Sequence, residues 1–434
     1  MNPGSILSIL LFLALVFLGS ANFALFSPHE IHLAQEFGTS ILAIDFLMAL
    51  FTAIFAFSFP VWGFLCGRAS RGGRKKLLLI GTAMWGVASI FTYFVASYSQ
   101  LLVARLINGI GIAVLLPVCF SIFVDYISPQ ERGKALSLLP ITLALGSGAG
   151  IALASAFGET VWRPPFLVTG IMGLGILVLS IFFLREPERG VSEPELREHI
   201  LAGKVYNHRI NMKKLVERLG IGTNRWLTLA EISRAIPIGI YVYKVIPYLE
   251  MYGFGAGAKT IVTLFIGSGV VFGYLMGGYM GDWANKKAGD RVLFSVLSLL
   301  LGMVFLSIAW SMPRPEALWS SNTILFFLFA FLGVALAYMN VPNVHAMLVN
   351  VNEPETRGMS FSVLSSMSWM TYGVGILIGG IGTKATLASY QGVLFWGTLV
   401  WISTVLFWLP IFGTIKKDKS RLREIMTQRA GEMV

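Results

Sequence analysis

The chain has 434 residues, of which 56% are apolar and only 13% charged, about half the charged share of an ordinary soluble domain. No soluble core can hide that much hydrocarbon, and a formal charge of +11 carried by short loops between apolar runs excludes the single basic face that nucleic acid binding needs. The two cysteines, Cys66 and Cys119, sit inside apolar runs, so neither a disulfide framework nor a metal cluster is available, and no metal or cofactor is expected.

Apolar runs long enough to cross a hydrocarbon layer about 30 Å thick fall at 5–27, 40–66, 76–97, 100–126, 133–157 and 162–184. The first lacks a basic n-region and a cleavage site before the next run, and is expected to remain as the first span. A polar stretch follows, in which EPELREHI and INMKKLVERLG carry apolar residues three to four apart. That period predicts two amphipathic helices on the membrane surface, with a partner-binding element as the alternative. Six further runs lie at 226–250, 257–281, 291–311, 320–350, 359–383 and 389–413, and the tail from Lys416 is basic, as an interfacial anchor is.

The expected fold is therefore an all-α membrane protein with twelve transmembrane helices in two six-helix bundles related by pseudo-two-fold symmetry. Its parts are an N-terminal bundle (1–184), an amphipathic linker (185–225), a C-terminal bundle (226–413) and a basic tail (414–434). Of the 33 Lys and Arg, 26 fall in loops on the side of the tail, 4 on the other side and 3 within spans. The positive-inside rule then puts both termini and the linker in the cytoplasm. Short loops without N-x-S/T sites on the outer side are compatible with a prokaryotic cell membrane.

The halves repeat each other. Pro117, Pro129, Arg132, Gly133, Gly148 and Gly150 return at an offset of 225 as Pro342, Pro354, Arg357, Gly358, Gly373 and Gly375, and Gly63 answers Gly278 at an offset of 215. Repeated six-helix halves place a binding site at their interface, near the bilayer midplane.

Three segments carry a family resemblance. After the eighth span the chain reads GYMGDWANKK, similar to the G-x-x-x-D-R-x-G-R-R/K-R/K loop of the major facilitator superfamily through Gly278, Asp282, Lys286 and Lys287. After the second span GFLCGRASRGGRKK keeps Gly63, Arg68 and Arg71 but has Gly67 where the loop's aspartate belongs. The fourth span contains RLINGIGIA, which resembles the R-x-x-x-G-x-G motif through Arg105, Gly109 and Gly111, followed by the P-x-E-R-G turn at Arg132. The resemblance implies a transporter that alternates access by rocking two bundles. It also implies gating loops at Gly63, Arg68, Arg71, Gly278, Asp282, Lys286, Lys287, Arg132 and Arg357, with the loop aspartate capping a neighbouring helix. Asn22, Phe23 and YKVIPYLEMYGF look somewhat like the lysolipid-carrying spinster branch, although Leu25 and Ile112 stand where that branch has acids.

Ionisable groups inside spans are costly and each is a site hypothesis. Arg105, with Asn108 one turn on, lies on a cavity-lining span of that family, and its readings are solute or proton contact against a packed arginine. Lys244 shares a helix face with Tyr241 and Tyr248 and suits an anionic head, or else snorkels to the surface. Glu231 and Arg234, three apart, form either a structural pair or a proton switch, and Asp45 is a second coupling candidate. Asn340 and Asn343 flank Pro342 and offer donors and acceptors either to a solute or to a neighbouring helix. No phosphate-binding glycine loop and no nucleophile constellation appears, so neither ATP-driven transport nor enzymatic activity is expected.

The reading is thus a secondary active transporter of a small anionic or zwitterionic, lysolipid-like solute, working as a monomer in the bilayer with proton coupling open. A proton-coupled multidrug efflux antiporter is the runner-up. A solute sensor without flux is the alternative from another class, distinguished by saturable binding without uptake.

Overall fold

The computed structural model describes residues 3–432 apart from 27–29, 158–160, 205–207, 209–216, 218–219, 252–255, 288–289, 313–319 and 386–389. The N-terminal half forms α1 (Pro3–Ala24), α2 (Glu30–Glu36), α3 (Ile41–Arg68), α4 (Gly73–Tyr93), α5 (Tyr98–Ile112), α6 (Leu115–Asp125), α7 (Arg132–Leu136), α8 (Leu138–Ala156) and α9 (Arg163–Phe183). The linker carries α10 (Pro194–Leu201), and most of the second amphipathic segment lies outside the described residues. The C-terminal half forms α11 (Gly222–Met251), α12 (Ala256–Lys287), α13 (Arg291–Ser311), α14 (Ser321–Tyr338), α15 (Val341–Val351), α16 (Arg357–Ala385) and α17 (Tyr390–Trp408), followed by α18 (Ile411–Glu432).

Among the described residues nine stretches are long and apolar enough to cross a membrane. Together with α11, α12 and α16 they make the twelve spans of two six-helix bundles. Two spans are broken at equivalent places. The fourth is α5 and α6, parted at Ala113 and Val114, and the tenth is α14 and α15, parted at Met339 and Asn340. Pro117 and Pro342 follow these breaks, each lacking the N–H that would tie it to the preceding turn.

The bundles meet through two symmetric crossings, α3 on α16 and α12 on α7 and α8. Gly63 and Gly278 are the contact points. A Cβ added at Gly63 would lie 3.0 Å from the Gly358 carbonyl oxygen, and one added at Gly278 would lie 2.6 Å from that of Gly133. Both glycine pairs are repeat equivalents, so the offset read from the sequence is the offset of the interface.

The face that carries the linker is closed by buried charge. Asp282 caps α7, accepting from the Gly133 N–H at 3.1 Å and the Lys134 N–H at 2.8 Å and pairing with Arg291. In the N-terminal copy, where Gly67 leaves no carboxylate, Arg189 of the linker donates to the Gly67 carbonyl at 3.0 Å and the Cys66 carbonyl at 2.7 Å. Arg71 reaches Glu188 at 2.5 Å, Arg68 lies 5.7 Å from the Phe64 ring centre, Lys286 is exposed, and the Lys287 side chain lies outside the described residues.

At the centre of this face, Glu193 accepts from two arginines at one oxygen, Arg132 and Arg357, the latter at 2.5 Å. Arg132 also donates to Asn350 at 2.8 Å, and Arg357 lies 3.9 Å from Asp125. Asp125 and Asn350 are again 225 apart, so the contacts cross a pseudo-dyad. Arg74 ties Asp125 at 2.6 Å to Glu186 at 2.8 Å.

The basic tail differs from the expected membrane anchor. Leu422, Met426 and Ala430 of α18 pack on Leu196 and Ile200 of α10, and Arg429 pairs with Glu355 at 3.1 Å and Glu353 at 3.6 Å. The apolar face that the sequence assigns to lipid is taken by the linker helix.

Asp282→Asn leaves Arg291 buried without its counter-charge, which costs about 3–5 kcal/mol. Thermal unfolding of the detergent-solubilised protein is expected to show a clear drop in midpoint, whereas Lys286→Gln, at an exposed position, leaves it unchanged.

Candidate functional site

The charged residues inside the spans separate into three environments. Glu231 and Arg234, one turn apart on α11, face each other as the spacing requires, with Arg234 Nε 2.8 Å and Nη2 2.5 Å from the two Glu231 oxygens. Nη1 of Arg234 makes no hydrogen bond among the described residues. Tyr274 of α12 and Tyr338 of α14 lie within electrostatic reach of this pair, as does His345 of α15. His345 is held edge-on between Phe120 and Phe361, at ring distances of 5.9 and 5.2 Å, and its Nδ1 has no hydrogen bond among the described residues. Asn340 at the α14–α15 break is fully buried, and neither amide atom finds a partner among the described residues. Glu231, Arg234, Tyr274, Tyr338 and His345 form a polar cluster within the apolar C-terminal bundle.

Arg105 occupies a different setting. It is fully buried in the N-terminal bundle, with Phe51 4.1 Å, Phe26 5.3 Å and Phe166 5.4 Å from its guanidinium carbon. Its only hydrogen bond among the described residues is from Nη1 to Asn108 at 3.2 Å, and Asn108 in turn donates to the Trp85 carbonyl at 3.1 Å. Aromatic faces, rather than further hydrogen bonds, surround this guanidinium. Asn22 is also internal to this bundle, donating to Ser89 at 2.5 Å and Thr169 at 2.8 Å.

Lys244 is buried, with its stem 3.4 Å from where a Cβ on Gly379 of α16 would sit. Tyr241 donates to the Leu394 carbonyl at 3.1 Å, bonds Thr398, and accepts from Trp310 at 2.9 Å, while Tyr248 packs on Trp310 and Phe326. Asn343 donates to the carbonyls of Gly277 at 3.0 Å and Met339 at 2.9 Å and accepts from Arg291 at 3.2 Å. It therefore belongs to the Asp282 network and lies apart from the polar cluster. The Asp45 side chain lies outside the described residues.

Two chambers adjoin the polar cluster. One, about 290 Å³, lies between the halves and is lined by Ser20, Phe23, Phe55, Ser147, Tyr274 and Trp369 among others. The other, about 250 Å³, lies within the C-terminal bundle, lined by Ile238, Tyr241, Trp310, Val334, Tyr338 and Trp401 among others. Tyr274 walls the first and Tyr338 the second, and their rings meet edge to face at 5.5 Å. Sequence reasoning found Glu231, Arg234, Tyr241 and Asn340 but missed Tyr274, Tyr338, Trp310, Trp369 and Trp401. With aromatic residues at 13% of the chain, nothing local marks out these five; only the packing of α12, α13, α14, α16 and α17 does.

Residues 9–341 match the family model described as Major Facilitator Superfamily. A probable sulfoacetate transporter of Cupriavidus necator is 26% identical over 270 residues, 59% of this chain and 61% of that protein. The uncharacterized transporter YbcL of Bacillus subtilis is 24% identical over 409 residues, 91% of this chain and 92% of that one. Among solved structures, the proton:xylose symporter XylE superposes with a TM-score of 0.71 at 16% identity, covering 96% of this chain and 97% of that one. The last likeness is one of fold.

The aromatic cage makes Arg105 a stacking residue, and the round ammonium of lysine does not reproduce its planar contacts. Arg105→Lys is expected to cost about 1–2 kcal/mol, read as a fall in thermal midpoint, with solute affinity changed by less than about twofold.

Proposed function

The chain belongs to the major facilitator superfamily and is a secondary transporter, not an enzyme, and we propose that its solute is a compact organic anion exchanged against Glu231 on Arg234. The observation that carries this reading is the pair itself. A guanidinium buried within a span binds its carboxylate in the bidentate geometry that any carboxylate or sulfonate reproduces. The Arg234 side chain is only 11% exposed and that of Glu231 5%, so an entering anion must take the place of the one already there.

Displacement supplies coupling. A carboxylate left without its counter-charge at that depth is costly, and a proton neutralises it. Anion and proton then cross together, and release of the anion lets Glu231 return to Arg234 and shed the proton. The Tyr274 and Tyr338 hydroxyls supply neutral donors around the exchange. The C. necator relative is named for a small anion, which supports the same class.

Volume argues against the lysolipid end of the expected range. Chambers of about 290 and 250 Å³ fall at or below the small end of ligand pockets, and suit a compact body better than a long acyl chain. Access alternates by rocking the N-terminal half (1–184) against the C-terminal half (226–413), with the loop contacts at Gly63, Arg132, Gly278, Asp282 and Arg357 as the gate that must part. The excess of Lys and Arg in the loops on the linker side supports a cytoplasmic position for that face, and the bacterial relatives support a prokaryotic membrane.

Counterflow in proteoliposomes tests the exchange. Arg234→Gln is expected to lower anion uptake by at least about tenfold, as loss of one charge-assisted contact of 1.5–3 kcal/mol requires. Glu231→Gln is expected to keep exchange while losing accumulation driven by a pH gradient. Unchanged uptake in Arg234→Gln contradicts the anion reading, and preferential uptake of lipophilic cations would favour the multidrug alternative.

A further inference from the structure

Compact anions do not need the chamber of about 250 Å³ within the C-terminal bundle. Its lining is almost wholly hydrocarbon: Ile238, Val245, Ile266, Val270, Leu306 and Val334, closed by the rings of Tyr241, Trp310, Tyr338 and Trp401. The Tyr241 hydroxyl is already engaged by Thr398, Leu394 and Trp310, so it offers the chamber little polarity. A dry cavity of about 150 Å³ lined by apolar side chains holds benzene, and this one has room for a substituted ring.

Its position relative to Arg234 is set by α11. Arg234, Ile238, Tyr241 and Val245 recur at intervals of four, three and four, forming one stripe along the helix, and the last three line the chamber. At 1.5 Å per residue the chamber begins about 6 Å beyond Arg234 at Ile238 and is centred about 10 Å beyond it at Tyr241. Tyr338, which walls the chamber, also stands within electrostatic reach of Arg234. An anionic head on Arg234 therefore points its body into an aromatic box after a spacer of two or three atoms. The box carries one further directional group: the Trp401 indole N–H is buried and has no hydrogen-bond partner among the described residues.

We propose that this chamber is an aryl subsite, and that the preferred solutes are arylalkyl carboxylates or sulfonates whose ring packs among Tyr241, Trp310, Tyr338 and Trp401 while the anion sits on Arg234. The proposal rests on the anion reading of Arg234 and narrows it. Ring-on-ring packing contributes about 0.5–1.5 kcal/mol for each aromatic partner beyond the area buried. Addition of a phenyl group to a short carboxylate is thus expected to tighten binding by tens-fold or more.

Gly267 offers a position from which a side chain can be grown into the chamber. It lines the chamber, and a Cβ added there meets no atom within 4 Å. Binding to the purified full-length protein is measured for propionate, 3-phenylpropionate and the neutral 3-phenylpropanamide, in the native chain and in Gly267→Phe. The native chain is expected to prefer 3-phenylpropionate over propionate by at least about tenfold, and Gly267→Phe to erase that preference while leaving propionate binding as it was. Equal affinity for the two anions in the native chain overturns the aryl subsite and leaves the anion reading standing. So does a Gly267→Phe variant that retains the full preference. Binding of the amide as tight as that of 3-phenylpropionate instead removes the anion reading, and this proposal with it.

Discussion

One carboxylate organises the closed face of the molecule. Glu193 belongs to neither bundle, yet one of its oxygens accepts from Arg132 of the first half and Arg357 of the second. Duplication explains why both arginines are there, because they are the same position of the repeat. It does not supply their partner, since two like charges brought together on a pseudo-dyad repel until something outside the repeat neutralises them. The linker does so. Burial works to raise Glu193, but the charges of Arg357 and Arg132 outweigh it and hold the carboxyl down to about 2. A carboxylate held low in this way stabilises the closed state fully above its ordinary value near 4.5, and loses that contribution only as pH falls toward about 2. The clamp is therefore constant across physiological pH, and any proton dependence of transport must arise elsewhere.

That separation gives the two charge systems different tasks. The clamp holds the linker face shut, and the Glu231–Arg234 pair within the C-terminal bundle is the proposed point of response to solute and proton. They are joined mechanically through the broken tenth span. Tyr338, the last residue before its break, stands within electrostatic reach of that pair, while Asn343, beyond the break, bonds Arg291 and so the Asp282 cap of α7. Strain applied at the solute site thus has a short path to the contact between the halves. Closure is also not symmetric. Asp282 caps α7, whereas the corresponding Gly67 hands its place to Arg189 of the linker. The linker, held down by α18, does for the N-terminal copy what a side chain of the loop does for the C-terminal one.

Much of this was legible in the sequence, and the reasons are physical. Apolar runs must match the bilayer, so all twelve spans could be read from length and hydropathy, and the repeat offset of 215 paired Gly63 with Gly278, which make equivalent crossings. The spacing of three between Glu231 and Arg234 fixed their pairing, because helical geometry leaves little choice. Contacts that depend on the third dimension were hidden. Glu193 looked like one more acid in a polar linker, Arg105 gave no sign of its cage of three phenylalanines, and Asn343 looked the same as Asn340 although one is saturated and the other unpartnered. The tail was misjudged for a related reason. An amphipathic helix looks the same whether lipid or α10 covers its apolar face.

The account stands or falls on whether Glu193 holds the linker face shut. Spin labels at Lys76 of α4 and Lys286 of α12, both exposed on that face, report the separation of the halves by pulsed electron resonance, in a background with Cys66 and Cys119 replaced by alanine. The native clamp predicts one dominant short distance, unchanged between about pH 5 and pH 8. Glu193→Gln predicts a second, longer population of comparable weight. An unchanged distance distribution in Glu193→Gln would contradict the clamp.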